Sequence, residues 1–127
     1  MADATDLPSR ATGSCLCGAV RYRVHGPLRD VSVCHCRFCR RMSTHVGAYA
    51  ACAIADLAIE DPRRLRWYQS SPGARRGFCS RCGSTLFWEP AARTHIAISA
   101  GSLNEPTGLK ISGHIHLAQK GDYYDAL

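Results

Sequence analysis

Long apolar runs are missing from this chain. The longest apolar-leaning stretch, Val46 to Ala55, is too short to cross a bilayer and is broken by Asp56. Residues 1–13 carry Asp3, Asp6 and Pro8 and lack the apolar core of a signal peptide. Both absences argue against a membrane or secreted protein and lead to the expectation of a cytoplasmic one. Helical periodicity is missing as well, since no segment keeps a 3.6-residue apolar repeat for three turns. Neither an internal repeat nor a low-complexity segment is found, which excludes a solenoid. Lysine is scarce: of 16 basic residues only Lys110 and Lys120 are lysines, so the net charge of +6 rests on arginine. The arginines are scattered from Arg10 to Arg93 and form no stripe, which argues against nucleic acid as a partner. They suit bidentate capture of carboxylate or phosphate, or else a solvated basic surface.

What the chain does have is cysteine, eight in 127 residues. That length makes one domain with a modest core. In a reducing compartment clustered cysteines hold metal more often than they form disulfides. Residues 1–12 are polar and read as a disordered tail, leaving 13–127 as a single zinc-binding domain. Pro and Gly recur every eight to fifteen residues, the rhythm of a mainly β, antiparallel fold. Strands are expected at Ala19–His25, Asp30–Cys34, Val46–Ala53, Leu57–Ile59, Leu65–Gln69, Ser84–Glu89, Thr94–Ala100 and His114–Ala118. Ser70-Ser71-Pro72-Gly73 reads as a turn, and a single helical turn fits Arg37 to Ser43.

The cysteines fall into two constellations. Cys15-Leu16-Cys17 and Cys79-Ser80-Arg81-Cys82-Gly83 together supply four thiolates, the closed tetrahedral set of a structural zinc. In the second pair, two residues separate the thiolates, so both can face one ion while turn N–H groups point back at the sulfurs. Some sixty residues separate the pairs, so the ion would tie the start of the domain to its middle. Cys34-His35-Cys36-Arg37-Phe38-Cys39 packs three more thiolates into six residues without an obvious fourth protein ligand. Three protein ligands and an open position is the pattern of a catalytic zinc. His35 or His45 could close that site; His35, between two ligands, would normally point away, which leaves His45 the better candidate. Three anionic thiolates weaken Lewis acidity and favour an exchangeable thiol over a strong hydroxide, which points toward sulfur chemistry. Cys52, in an apolar alternating stretch, reads as a buried small hydrophobe.

Five strings in order, GSCLCGAVRYRV, CHCRFCRRMS, SSPGARRGFCSRCGSTLF, SAGSLNEP and HIHLAQKGDYYD, resemble the glutathione-dependent formaldehyde-activating enzyme family, which also contains the centromere protein V proteins. The likeness runs from about Gly13 to the C-terminus. It implies the Mss4-like fold of twisted antiparallel sheets with zinc-binding knuckles. It also implies a structural zinc on Cys15, Cys17, Cys79 and Cys82, and a second, more labile zinc on Cys34, Cys36 and Cys39. The implied activity is that of a carbon–sulfur lyase condensing glutathione with formaldehyde to S-hydroxymethylglutathione, with a small-molecule thiol as partner. Departures from the family pattern are Asn104, where aspartate is common, and His116, where an aromatic residue is frequent.

Several residues carry two readings. Arg40 and Arg41, directly behind the second motif, could hold substrate carboxylates or form a solvated turn, and Arg75 and Arg76 share that ambiguity. Arg64 and Arg66 read as surface residues, and Trp67, Tyr68 and Trp88 as core or sheet-face aromatics. His114 and His116 are expected on one face of one strand, in a packing or hydrogen-bonding role. Tyr123 and Tyr124 could close over the site or anchor the tail. Besides the enzyme, two other classes fit the motifs: a non-catalytic zinc module for protein or nucleic acid, and a zinc or redox sensor using Cys34, Cys36 and Cys39.

Overall fold

The period-two alternation of Arg21-Tyr22-Arg23-Val24 produces a strand with its arginines exposed and Tyr22 and Val24 buried. The same rule builds most of the chain. A computed structural model describes residues 9–125 and shows ten strands. These are β1 (Ala11–Ser14), β2 (Arg21–Val24), β3 (Arg29–Cys34), β4 (Gly47–Ala53), β5 (Leu57–Ile59), β6 (Leu65–Ser71), β7 (Ala74–Cys79), β8 (Thr85–Pro90), β9 (His95–Ser99) and β10 (Ile111–Ile115). One short helix, α1 (Arg37–Met42), lies between β3 and β4. No helix of the described residues is long and apolar enough to cross a membrane.

The strands form two sheets. A three-stranded sheet has the order β1-β2-β5, and a seven-stranded sheet has the order β10-β3-β4-β9-β8-β7-β6. Every pairing is antiparallel except that of β10 with β3. The main core lies between the sheets: Val20, Tyr22 and Val24 meet Ala50, Cys52, Leu86, Phe87, Ile96 and Ile98. Tyr22 packs edge-on to Phe87 with ring centroids 5.3 Å apart. Cys52 belongs to this core, and burial, with Asp56 nearby, pushes its thiol up to about 11. The alternate residues of the large sheet face the other way, where Cys34, Cys39, Tyr49 and Ala97 form a second, smaller cluster against Trp88.

Three expectations need correction. Ala11 and Thr12 are not tail but strand β1, registered against Val24 and Arg23 of β2; residues 1–8 of the expected tail lie outside the described residues. The last strand is β10 at Ile111–Ile115, not His114–Ala118. His116 adopts a left-handed backbone (φ 57°), which stops the strand, and Leu117–Gln119 continue as a 3₁₀ turn. His114 and His116 are therefore not neighbours on one strand face. Strand β7 drew no expectation, because Arg75-Arg76-Gly77 masks its alternation. It forms a hairpin with β6 across Pro72-Gly73.

Candidate functional site

Two matching turns build the first cysteine cluster. Cys15 opens a turn that returns at Val20, and Cys79 opens one that returns at Ser84. In each, a glycine directly follows the second cysteine with a left-handed backbone: Gly18 at φ 79° and Gly83 at φ 82°. The Sγ atoms of Cys15, Cys17, Cys79 and Cys82 lie within 4.8 Å of one another. Cys15 to Cys17 is 3.6 Å and Cys17 to Cys79 is 3.8 Å. A tetrahedral zinc with bonds of about 2.3 Å requires sulfur–sulfur edges of about 3.8 Å, so this donor set fits such an ion, while a disulfide, at about 2 Å, is excluded.

The surroundings of these sulfurs suit thiolates. Val20 N–H donates to Cys15 Sγ at 3.3 Å, and Arg81 and Cys82 N–H point at Cys79 Sγ at 3.3 and 3.5 Å. The Ser84 hydroxyl accepts from Leu16 N–H and lies 3.1 Å from Cys82 Sγ, tying one turn to the other. Hydrogen bonds from the Ser84 hydroxyl and backbone hold the Cys82 thiol down at about 5.

The second cluster sits where β3 hands over to α1. Cys34 ends β3, Cys36 caps α1 by accepting Cys39 N–H at 3.3 Å, and Cys39 is on the helix. Their three Sγ atoms also lie within 4.8 Å of one another. Among the described residues no His, Cys, Asp or Glu completes a fourth corner. His35 points away, as expected: its Nδ1 lies 2.5 Å from the Tyr124 hydroxyl and its Nε2 lies 2.9 Å from His114 Nδ1. His45 is exposed and pairs with the Tyr123 hydroxyl at 2.7 Å. Burial, and then the neighbouring Cys34 and Cys36, push the Cys39 thiol up to about 12.

The three cysteines line one end of a cavity of about 370 Å³ on the face of the large sheet turned away from the core. Its floor is low because Ala51 and Ala97, cross-strand partners, carry small side chains that leave room above them. Phe38, Trp88 and Ile115 wall it, and Arg29, Arg76, His95 and His116 also line it. Arg76 is only 4% exposed. Its Nη1 donates to the Tyr49 hydroxyl at 3.2 Å and its Nη2 reaches toward Cys39 Sγ at 3.9 Å.

The paired arginines of the sequence thus divide between faces. Arg75 turns to the other side of β7, stacks 3.9 Å over Trp67 and bonds Glu89 at 2.9 Å, while Arg76 enters the cavity. Arg40 and Arg41 both sit on α1, Arg41 exposed, and neither is among the cavity-lining residues. Arg29 was not singled out by the sequence; only the bulge in β3, which brings it to the face of Ser32 and Cys34, reveals it.

Fold and site together define a mainly β domain carrying two cysteine clusters able to hold metal ions, one closed and one bordering a cavity. Residues 10–119 match the family model described as glutathione-dependent formaldehyde-activating enzyme, and the chain belongs to that family. A Halomonas elongata protein named "Putative glutathione-dependent formaldehyde-activating enzyme" is 39% identical over 85 residues, which are 59% of this chain and 53% of that protein. The chain therefore spans about half the length of that relative. An uncharacterized lyase of Schizosaccharomyces pombe is 25% identical over 89% of this chain and 82% of its own length. A crystal structure of a Rhodobacter sphaeroides protein superposes with a TM-score of 0.66 at 26% identity, covering 81% of this chain and 98% of that one.

Proposed function

We propose that this protein is a zinc-dependent enzyme of the carbon–sulfur lyase type that joins a thiol to an aldehyde, with glutathione and formaldehyde as substrates and S-hydroxymethylglutathione as product. The observation that carries this reading is the three-cysteine cluster, open on its fourth side and bordering the cavity. In it Cys15, Cys17, Cys79 and Cys82 hold a structural zinc, and Cys34, Cys36 and Cys39 hold the second. A zinc at the second cluster supplies a positive centre that favours the ionised thiol over the neutral one at neutral pH.

The chain's own residues do the rest. Arg76 sets a guanidinium beside the three thiolates and offsets their charge, so that a further anionic sulfur can approach. Phe38, Trp88 and Ile115 narrow the approach and displace water from the reacting atoms. The thiol sulfur gives its electron pair to the aldehyde carbon, forming the carbon–sulfur bond. The carbonyl π pair moves to oxygen, which takes up one proton to replace the one lost by the thiol. Reversal breaks the same bond and returns thiol and aldehyde. The family membership and the lyase name of the yeast relative support the reaction type.

The test compares the protein with Cys36→Ser. Elemental analysis is expected to give two zincs for the first and one for the variant, with unchanged far-ultraviolet circular dichroism. Loss of free glutathione thiol on mixing with formaldehyde is expected to be accelerated by the first protein only. Equal rates with and without protein, at full metal loading, would sink the proposal.

A further inference from the structure

No acidic residue lines the cavity beside Cys34, Cys36 and Cys39, whereas two guanidinium groups do. Neither has a carboxylate partner among the described residues, although Glu60, Asp61 and Glu89 pair with other arginines. The two bracket Tyr49 from opposite ends. Arg76 meets its hydroxyl, and Arg29 Nη2 donates to its carbonyl at 3.0 Å. Their settings differ. Arg76 is 4% exposed, has a buried Nε with no acceptor, and faces Cys39, so its charge is matched to the thiolates at the inner end. Arg29 is exposed at the rim, bonded only to the carbonyl oxygens of Asp30 and Tyr49. A guanidinium has five N–H donors, so most of the Arg29 fork is free.

The position of that fork along the sheet sets a length. Tyr49 is registered opposite Ser32, two residues before Cys34. At a rise of about 3.3 Å per residue, the Arg29 head lies roughly 7 Å along β3 from the cysteine cluster. A thiol held at the cluster would reach Arg29 with a carboxylate several bonds from its sulfur.

We propose that Arg29 is the specificity-determining residue of this cavity, reading a carboxylate of the bound thiol that lies remote from its sulfur. This rests on the thiol reading of the second cluster given above and adds a separate anion subsite to it. A free guanidinium fork matches a carboxylate with two parallel hydrogen bonds, and an ester of the same acid cannot accept them with charge assistance.

The experiment uses the zinc-loaded protein and isothermal calorimetry, with glutathione and glutathione diethyl ester as a pair that shares one sulfur. The protein is expected to bind glutathione about tenfold more tightly than the diester. In Arg29→Gln, a rim residue whose replacement leaves the sheet pairing intact, the ratio should fall to near one, and Arg29→Lys should keep part of it. Equal binding of acid and ester by the unaltered protein overturns the carboxylate subsite and leaves the thiol site standing. An unchanged ratio in Arg29→Gln overturns the assignment to Arg29. Failure of both thiols to bind overturns the subsite and the proposed function together.

Discussion

Gly47 opens β4 directly behind the second cluster, and a Cβ built there would lie 2.5 Å from Tyr49 Cε2 and 2.9 Å from Cys39 Sγ. A side chain at this position must push a sulfur or the ring that Arg76 is bonded to. Gly47→Ala is therefore expected to cost about 1–3 kcal/mol through overpacking and to empty the second cluster while sparing the first. Zinc analysis should fall from two ions to one; two retained ions would show that Cys39 can yield without losing its place. Ala97 makes a complementary case at the cavity floor. It is buried beside Ala51, and both small side chains leave the space a ligand would fill. Ala97→Leu should fold normally, keep both ions, and weaken glutathione binding more than tenfold by occupying that space. Calorimetry on the metal-loaded variant decides it, and undiminished binding would place the ligand elsewhere.

At the level of elements, the strands with clean alternation were legible in the sequence. Leu57–Ile59 is observed as expected, and β2, β3, β4, β6, β8 and β9 fall within a few residues of the positions read from pattern alone. The clusters were legible because the spacing of cysteines in a turn is dictated by the ion they would surround. Other features were not. Strand β1 is short and small, with the sequence Ala-Thr-Gly-Ser, and owes its place to pairing with β2. The placement of Arg29 at the cavity depends on a bulge, and the division of Arg75 from Arg76 depends on which face of β7 points at the core; neither is encoded within a few residues of sequence. The small sheet's junction with the large one offers a test. Tyr22 is buried, bonds the Ser102 hydroxyl at 2.6 Å, and has its phenol pushed up to about 12 by burial. The unfolded chain loses that proton near pH 10 while the folded chain keeps it to about 12. Stability from this group is thus intact below pH 10 and declines between the two values, by about 2–3 kcal/mol in all. Tyr22→Phe should be less stable than the unaltered protein at neutral pH but show a shallower loss from pH 10 to 12 in urea unfolding. Parallel curves would assign the alkaline loss to other groups.

For the whole molecule, the two clusters differ most in how much chain they close. Cys17 and Cys79 are 62 positions apart, and the first cluster joins the turn between β1 and β2 to the turn between β7 and β8, hence one sheet to the other. The second cluster closes only the short span from Cys34 to Cys39, already shaped by the end of β3 and the start of α1. If the ions act as cross-links, the loop-entropy relation used for disulfides gives about 4 kcal/mol for the long closure and about 2 kcal/mol for the short one. The long closure also carries the contact between sheets, whose core of Tyr22, Phe87, Ile96 and Ile98 depends on their staying together. Cys79→Ser should consequently lower the melting temperature by roughly 6–12 °C more than Cys36→Ser, at matched protein concentration and with zinc supplied. A chelator added in increments should, by the same reasoning, take the second ion without a change in circular dichroism and unfold the chain only as the first is removed. The paired melting curves and the chelator titration must agree. Equal melting shifts, or unfolding coincident with loss of the first ion released, would mean that both clusters are structural and would remove the open site on which a thiol-binding role depends.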